Sequence, residues 1–299
     1  MPRMTGDLCD LLVLGGTGML GHAVLAEAPA DGLLHFTTRD PGLATAAGLP
    51  GIAHAFEAAT DDVGDLIGRL RPRSVVNALG IVKQVREADE PVPAISVNSL
   101  LPHELAQACK DVDATLIHVS TDCVFSGRAP LGHSYTESDD PDPLDLYGRS
   151  KLLGETGDGE ALTLRTSIIG WELQRRSGLL EWFASQEGGR VYGFSNAIFS
   201  GLTTRALARV ILAVLADDRD LTGVYHVASA PISKLDLITL LRDNLEIECE
   251  IEARDQPVVN RALDGSRFAA ATGIGVPSWA DMAAEYARQR SPQEVAADG

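Results

Sequence analysis

The chain has 299 residues, 45% of them hydrophobic, enough for one large domain or two small ones with an ample core and no need of a disulfide staple. Its 42 Asp+Glu against 25 Lys+Arg leave a formal charge of −17, which argues against binding nucleic acid through a phosphate backbone, and no basic block offsets it. No apolar run reaches membrane-spanning length, Met1–Asp7 lacks the apolar core of a signal peptide, and Cys9, Cys109, Cys123 and Cys249 are scattered without metal-ligand spacing; a reduced, cytoplasmic protein with no membrane segment and no metal centre is expected.

Cys9–Leu14 is a short apolar run, read as a buried strand. Gly15-Gly16-Thr17-Gly18-Met19-Leu20-Gly21 follows at once and leads into an apolar-rich helix around His22–Glu27. Strand, glycine turn and helix are the context a dinucleotide site requires. Absent side chains let backbone N–H groups approach a pyrophosphate, and the helix N-terminus adds positive potential. The competing reading is an ordinary glycine-rich turn. Leu33–Thr38 reads as the second strand. Arg39 then stands about twenty residues past the glycines, where an NAD-type site carries an acid. A guanidinium there can grip a ribose 2′-phosphate, which favours NADP, with NAD as the alternative; a solvated Arg39–Asp40 turn is the bland reading.

Gly51–Phe56 is a third strand candidate, and Asp61–Leu70 alternates like a helix up to Arg71-Pro72. Ser74–Gly80 is a strand ending in small residues, so Asn77, Ala78, Leu79 and Gly80 are expected to line the nicotinamide-ribose side of a crevice at the strand ends. Lys83 and Arg86 lie in the next loop, either against substrate phosphates or simply solvated. A long helix is expected from about Ala94 to Lys110 and contains Asn98, a polar residue that needs a partner if buried. Ala114–Val119 is a buried strand running into Ser120-Thr121-Asp122-Cys123-Val124-Phe125-Ser126-Gly127. A hydroxyl at its carboxyl end is well placed to hydrogen-bond a substrate carbonyl.

After the turn-rich run Asp139–Pro143 comes Asp145-Leu146-Tyr147-Gly148-Arg149-Ser150-Lys151. On a helix over Tyr147–Glu155, Tyr147 and Lys151 share one face. A nearby ammonium favours the phenolate, so the lysine is expected to lower the tyrosine pKa and make it a general acid or base. Ala161–Gly170 is strand-like, and Trp171–Gly201 reads as irregular and aromatic-rich. Thr203–Leu215 is an amphipathic helix and Gly223–Val227 a strand, both read as returning to the first domain. The pattern is α/β: a Rossmann-type doubly wound parallel sheet over residues 1–167 plus 202–228, a smaller C-terminal substrate-binding α/β domain over 168–201 plus 229–289, and a flexible tail, 290–299.

Gly15–Gly21, Val76-Asn77-Ala78, Ser120–Gly127, Tyr147–Lys151 and Arg165-Thr166-Ser167, in one collinear order, resemble the extended short-chain dehydrogenase/reductase superfamily. The similarity is greatest to the dTDP-4-dehydrorhamnose reductase group and its relatives acting on other 4-keto nucleotide sugars; Gly201–Thr204 and Ser266-Arg267-Phe268 match more loosely. Asn98–His103 and Ile198–Leu202 resemble capsule-type reductases of UDP-linked sugars. By position, the resemblance implies Tyr147 as general acid, Lys151 as the residue that binds the nicotinamide ribose, and Thr121 as the hydroxyl polarising the same carbonyl. It implies Gly15, Thr17, Gly18, Met19, Leu20, Gly21, Arg39, Asn77, Ala78, Leu79, Gly80 and Ser167 at the dinucleotide, with Asn98 as a structural or water-relay residue. Lys83, Thr121, Asp122, Cys123, Asn196 and Arg267 are the substrate-side candidates. A nucleotide-diphosphate sugar and a second copy of the chain are the implied partners.

The implied chemistry is hydride delivery from NADPH to a 4-keto carbon, with the growing oxyanion met by the Thr121 and Tyr147 hydroxyls. Related epimerising enzymes use a cysteine at the position of Cys123 together with a histidine, but no histidine occurs between His133 and His226. Dehydratases carry an acidic pair after the active-site hydroxyl, whereas this chain has Asp122 then Cys123. The alternatives are therefore an epimerase or dehydratase of nucleotide sugars, or a non-catalytic NADP-binding regulatory subunit.

Overall fold

The structure, a computed structural model, describes residues 9–82, 90–157, 159–174, 178–217 and 221–288. Lys83, Arg86 and the tail from 290 lie outside the described residues. The chain first alternates β1 (Leu11–Leu14), α1 (Gly21–Glu27), β2 (Leu34–Thr38), α2 (Pro41–Ala46), β3 (Ile52–Ala55), α3 (Val63–Leu70) and β4 (Ser74–Asn77). α4 (Pro91–Ile95) passes through one wide π-helical turn, Ser96–Leu100, into α5 (Leu101–Val112); β5 (Thr115–Thr121), α6 (Leu146–Leu153) and β6 (Leu162–Thr166) follow. Beyond them lie β7 (Ile168–Ile169), α7 (Leu179–Ala184), β8 (Arg190–Phe194), β9 (Ala197–Phe199), β10 (Leu202–Thr203), α8 (Thr204–Leu215), β11 (Gly223–His226), β12 (Ile232–Ser233), α9 (Lys234–Leu245), β13 (Glu250–Arg254), β14 (Val259–Asn260), α10 (Ser266–Thr272) and α11 (Trp279–Ala287).

Seven strands form one sheet in the order β11-β6-β5-β4-β1-β2-β3, and every pairing in it is parallel. Strand order reverses between β1 and β4, the place where this Rossmann-type arrangement opens a crevice at the carboxyl ends of the strands. Both faces are covered, which is why β1 is buried at all four positions and reads as a continuous apolar run rather than an alternating one. One core cluster joins Val13, Val24, Phe36, Leu164, Leu207 and Ile211. The other, on the opposite face, joins Leu12, Leu14, Ile67, Val75, Leu105 and Leu116.

Caps decide several boundaries. Asp62 opens α3 by accepting from the Asp65 N–H at 3.1 Å, and Thr203 opens α8 through the Ala206 N–H at 3.3 Å, each satisfying an otherwise orphaned donor. The strand expected over Ser74–Gly80 stops at Asn77, where the Asn77 side chain takes the Leu79 N–H and turns the chain. The helix expected from Ala94 to Lys110 is continuous from Pro91 to Val112 but widens over Ser96–Leu100. The helix carrying Tyr147 starts one residue early, capped by Asp145, and ends at Leu153. Trp171–Gly201 is not irregular: it supplies α7, β8 and β9. Its strands find partners remote in sequence, β8 with β13 and β9 with β12 and β14, so no local period announced them. Among the described residues no helix is long and apolar enough to cross a membrane.

Leu207, with no exposed surface at the centre of α8, tests how tightly that face of the sheet is packed. Leu207→Ala is expected to lower unfolding stability by roughly 2–5 kcal/mol, read by urea denaturation.

Candidate active site

The crevice at the strand ends begins with the glycine turn. Gly15 has φ +81°, a left-handed conformation that costs glycine little. A Cβ on Gly21 would collide with the Gly15 carbonyl, so only glycine lets α1 start so close to the turn. The loop is tied to the end of β2: Gly15 N–H donates to Thr37 Oγ1 at 2.9 Å, Gly16 N–H to the Thr37 carbonyl at 2.9 Å, and the Thr17 and Thr38 hydroxyls meet at 3.1 Å. Thr17 and Met19 are half-buried, Gly18 is exposed and Leu20 is buried. A bare backbone turn ahead of a helix is a cradle that fits a dinucleotide pyrophosphate. Arg39 is exposed just past β2. Its neighbour Asp40 is engaged as the cap of α2, accepting from the Leu43 N–H at 3.0 Å, so the carboxylate beside Arg39 is committed to the helix.

Asn77 is buried at the end of β4, while Gly80 reaches the surface. Asn98, in the π-helical turn, has its amide fully occupied: Oδ1 accepts from Ile81 N–H at 2.8 Å, and Nδ2 donates to the Ile81 carbonyl at 3.0 Å and to Ser150 Oγ at 3.1 Å. In this arrangement it fastens the loop after β4 to α6.

At the end of β5, Thr121 is buried. Its hydroxyl donates to Asp122 Oδ1 at 3.2 Å and accepts from the Cys123 N–H at 3.1 Å, and it stands near enough to the Tyr147 hydroxyl to act against the rise of that group's pKa. Tyr147 and Lys151 stand one turn apart on α6, whose N-terminus is held by Asp145 Oδ1 accepting from Gly148 N–H at 2.9 Å. Lys151 Nζ donates to the Val119 carbonyl at 2.7 Å. Below it, Glu155 and Arg165 form a bidentate pair, Nε to Oε1 at 2.8 Å and Nη2 to Oε2 at 2.7 Å, with both side chains almost wholly buried. Ser120 Oγ donates to Glu155 Oε1 at 2.7 Å.

Burial, rather than any single neighbour, dominates the electrostatics. It pushes the Tyr147 hydroxyl well above the ordinary phenol range, with the Cys123 charge adding to the rise and the Thr121 hydrogen bond opposing it. The expected lowering by Lys151 is not found: the shift is upward and Lys151 is not among its causes, the lysine amine being turned to the Val119 carbonyl. Lys151 is itself lowered to about 8 by desolvation, against the pull of Glu155. Asp122 is raised by burial, with Arg261 and Lys234 opposing.

Arg261 and Lys234 were not among the sequence-predicted residues. Arg261 donates to the Phe125 carbonyl at 3.0 Å and the Ser126 carbonyl at 3.3 Å, pinning the loop after Thr121. Lys234, at the first turn of α9, lies over the Phe199 ring, 3.8 Å from its centroid, and burial lowers its pKa against the pull of Asp122 and Cys123. The available signals were slight: Ser233 as a helix cap just before Lys234, and a lone arginine six residues before Arg267. Cys123 is half-buried beside Asp122. The remaining candidates lie apart from Thr121 in their contacts. Asn196 Nδ2 donates to the Asp255 carbonyl at 2.9 Å. Arg267 is exposed, stacks on Tyr225 at 4.5 Å and reaches the Val224 carbonyl at 3.4 Å, on the outer strand of the sheet. The Ser167 carbonyl accepts from the Leu202 N–H at 2.8 Å. Among the described residues no group of three or more His, Cys, Asp and Glu could hold a metal ion.

Because Arg165 would be left as a buried, unmatched charge, Glu155→Gln is expected to cost about 3–5 kcal/mol of unfolding stability. A double replacement of the pair, Glu155→Leu with Arg165→Met, is expected to recover most of that loss, as measured by urea denaturation.

The family model described as the RmlD substrate binding domain matches residues 9–290. A dTDP-4-dehydrorhamnose reductase of Mycolicibacterium smegmatis is 43% identical over 167 residues, 53% of this chain and 45% of that protein. Methionine adenosyltransferase 2 subunit beta of Mus musculus is 30% identical over 169 residues, 55% of this chain and 48% of that protein. The chain thus spans about half the length of these curated relatives. Among solved structures, a hypothetical dTDP-4-dehydrorhamnose reductase from Sulfolobus tokodaii superposes with a TM-score of 0.74 at 25% identity, covering 89% of this chain and 95% of that one.

Proposed function

The chain belongs to the RmlD substrate-binding-domain family, and on that premise we propose that it is an NADPH-dependent reductase of a 4-keto-6-deoxy nucleotide sugar. The observation that carries the reading is the buried Thr121 hydroxyl at the carboxyl end of β5, with Tyr147 and, one helical turn further on, Lys151 on α6, and with the glycine cradle at the end of β1 of the same parallel sheet. The family resemblance alone does not separate a reductase from a binding subunit; the presence of the Thr121 and Tyr147 hydroxyls together with Lys151 supports the reductase.

Gly15–Gly21 and Asn77–Gly80 are the backbone that would hold the dinucleotide, with Lys151 at the nicotinamide ribose. Arg39 would meet a 2′-phosphate, a role favoured by the commitment of Asp40 to the cap of α2. When bound, the reduced nicotinamide supplies the hydride. The protein's own part is to receive the charge that develops on the sugar's C4 oxygen. Thr121 donates a hydrogen bond to it, and Tyr147 donates a hydrogen bond that becomes a proton transfer. A phenol raised by burial is fully protonated at neutral pH, which suits a proton donor. Once the proton has left, the Lys151 ammonium one turn away stabilises the phenolate. Arg261 and Lys234 add positive charge on the Asp122 side, suited to an anionic nucleotide diphosphate.

NADPH oxidation followed at the nicotinamide absorbance band, with a panel of dTDP- and UDP-linked 4-keto-6-deoxy sugars, is expected to show turnover on one member. Tyr147→Phe is expected to cut kcat at least about 10²-fold, and Arg39→Ala to raise KM for NADPH roughly 10- to 100-fold with little change for NADH. Tight NADPH binding with no turnover on any member would favour the second reading, a cofactor-binding subunit like the mammalian relative.

The pH dependence has a defined sign. Lys151, lowered to about 8, loses its proton as pH rises through that value, and with it the charge that stabilises the phenolate, so the rate is expected to fall on an alkaline limb near pH 8. A guanidinium does not titrate there, so Lys151→Arg, where it retains activity, is expected to move that limb upward. A limb left unmoved would assign it to another group.

A further inference from the structure

His118 has no exposed surface, sits on β5 directly beneath Lys151, and takes no part in the proposed chemistry. Its surroundings settle its protonation atom by atom. The Leu79 N–H can only donate, so the Asn77 atom it meets at 3.1 Å is the amide oxygen. The other Asn77 atom is then the NH2, and it donates to His118 Nδ1 at 3.0 Å. Nδ1 is thereby an acceptor. In a neutral imidazole the proton must lie on Nε2, and Nε2 faces Lys151 Nζ at 3.5 Å. Lys151 donates in turn to the Val119 carbonyl at 2.7 Å. A neutral amine can accept from Nε2–H while donating to Val119. An ammonium, with no lone pair, sets N–H against N–H.

We propose that His118 is a positioning residue for Lys151, presenting Nε2–H to the lysine nitrogen and so bringing down the pH at which the ammonium that serves the phenolate gives way to the amine. The chain Leu79–Asn77–His118–Lys151 connects the loop at the end of β4 to the helix that carries Tyr147. Burial supports it by keeping the imidazole neutral, its pKa lying well below the ordinary histidine value, first through desolvation and then through Lys151 and His103. Among the described residues, the charged and titratable groups around this pair are Tyr147 on α6, Glu155 just beyond it, His103 on α5 and, through Glu155, Arg165 on β6. Glu155 pulls Lys151 toward the ammonium, and His118 opposes it. The effect on catalysis rests on the proposed reductase reading; the effect on lysine protonation does not.

The test reads protonation directly, in the purified protein without substrate. In 15N-histidine spectra of the wild type, the His118 signal, assigned among seven histidines by its loss in His118→Gln, is expected to show the Nε2–H tautomer and to persist uncharged where exposed histidines titrate. An Nδ1–H or imidazolium signal would overturn the proposal without any variant having to fold. The chain has only four lysines, Lys83, Lys110, Lys151 and Lys234, so 13Cε-lysine titration resolves Lys151, assigned by its absence in Lys151→Met. In Asn77→Asp the second carboxylate oxygen accepts from Nδ1–H, the tautomer flips, and Nε2 becomes an acceptor for the ammonium. The Lys151 midpoint is expected to rise by roughly one pH unit, the scale of one charge-assisted hydrogen bond. His118→Gln, whose amide oxygen can turn to the ammonium, is expected to move it the same way. An unchanged midpoint in both folded variants would make His118 core filler. Midpoints that rise in a protein that never oxidises NADPH would leave the relay standing and remove the reductase reading.

Discussion

The helix that carries Tyr147 and Lys151 is anchored by one buried ion pair. Arg165 at the end of β6 and Glu155 just beyond α6 meet in bidentate geometry with almost no exposed surface. Neither charge can be in the core alone, because removing either leaves the other desolvated and unmatched. The pair also recruits its surroundings: Ser120 of β5 donates to Glu155, the Arg165 guanidinium lies over Phe125 at 5.3 Å, and its Nη1 comes within 3.4 Å of His226 of β11. Beside the backbone ladders that set the register, this one carboxylate–guanidinium contact gathers side chains from three strands and from the end of one helix. α6 is pressed close at both ends, where side chains at Gly148 and Gly154 would strike the Cys123 and Asn98 carbonyls. Tyr147 and Lys151 occupy the stretch between these anchors.

Dryness has a second consequence. The same loss of solvation raises the tyrosine and the Asp122 carboxyl and lowers Lys151, Lys234 and His118. Each of these five groups is moved toward its uncharged form. A phenol held in its protonated form keeps the proton that a general acid must give. Dryness also gives hydrogen-bond polarity unusual weight, since at Lys151 the choice between amine and ammonium turns on a nearby carbonyl, carboxylate and imidazole.

The parallel sheet was legible because each early element is locally self-consistent: an apolar strand, glycine or turn residues, then an apolar helix, repeated through Val119. The glycine turn was equally clear, since close backbone approach leaves its mark on sequence as missing side chains. The elements of Trp171–Gly201 were not legible, because β8 and β9 form through pairing with strands that come much later in the chain. Lys234 and Arg261 escaped for the same reason, arriving at Asp122 from those later segments.

By itself, then, the order of residues determined the fold class and brought Thr121, Tyr147 and Lys151 forward as candidates, because the first follows from local periodicity and the second from short motifs and the family they resemble. Only the tertiary structure decided how those groups are charged. Spacing puts Lys151 one turn from Tyr147, but desolvation and the direction of the lysine amine are properties of the packed interior, and together they outweigh the nearness of the two side chains. Asn98 and His118 show the same division: the sequence places a polar residue in a helix and a histidine in a strand, and only the folded chain supplies the partners that make one a clamp and the other a donor.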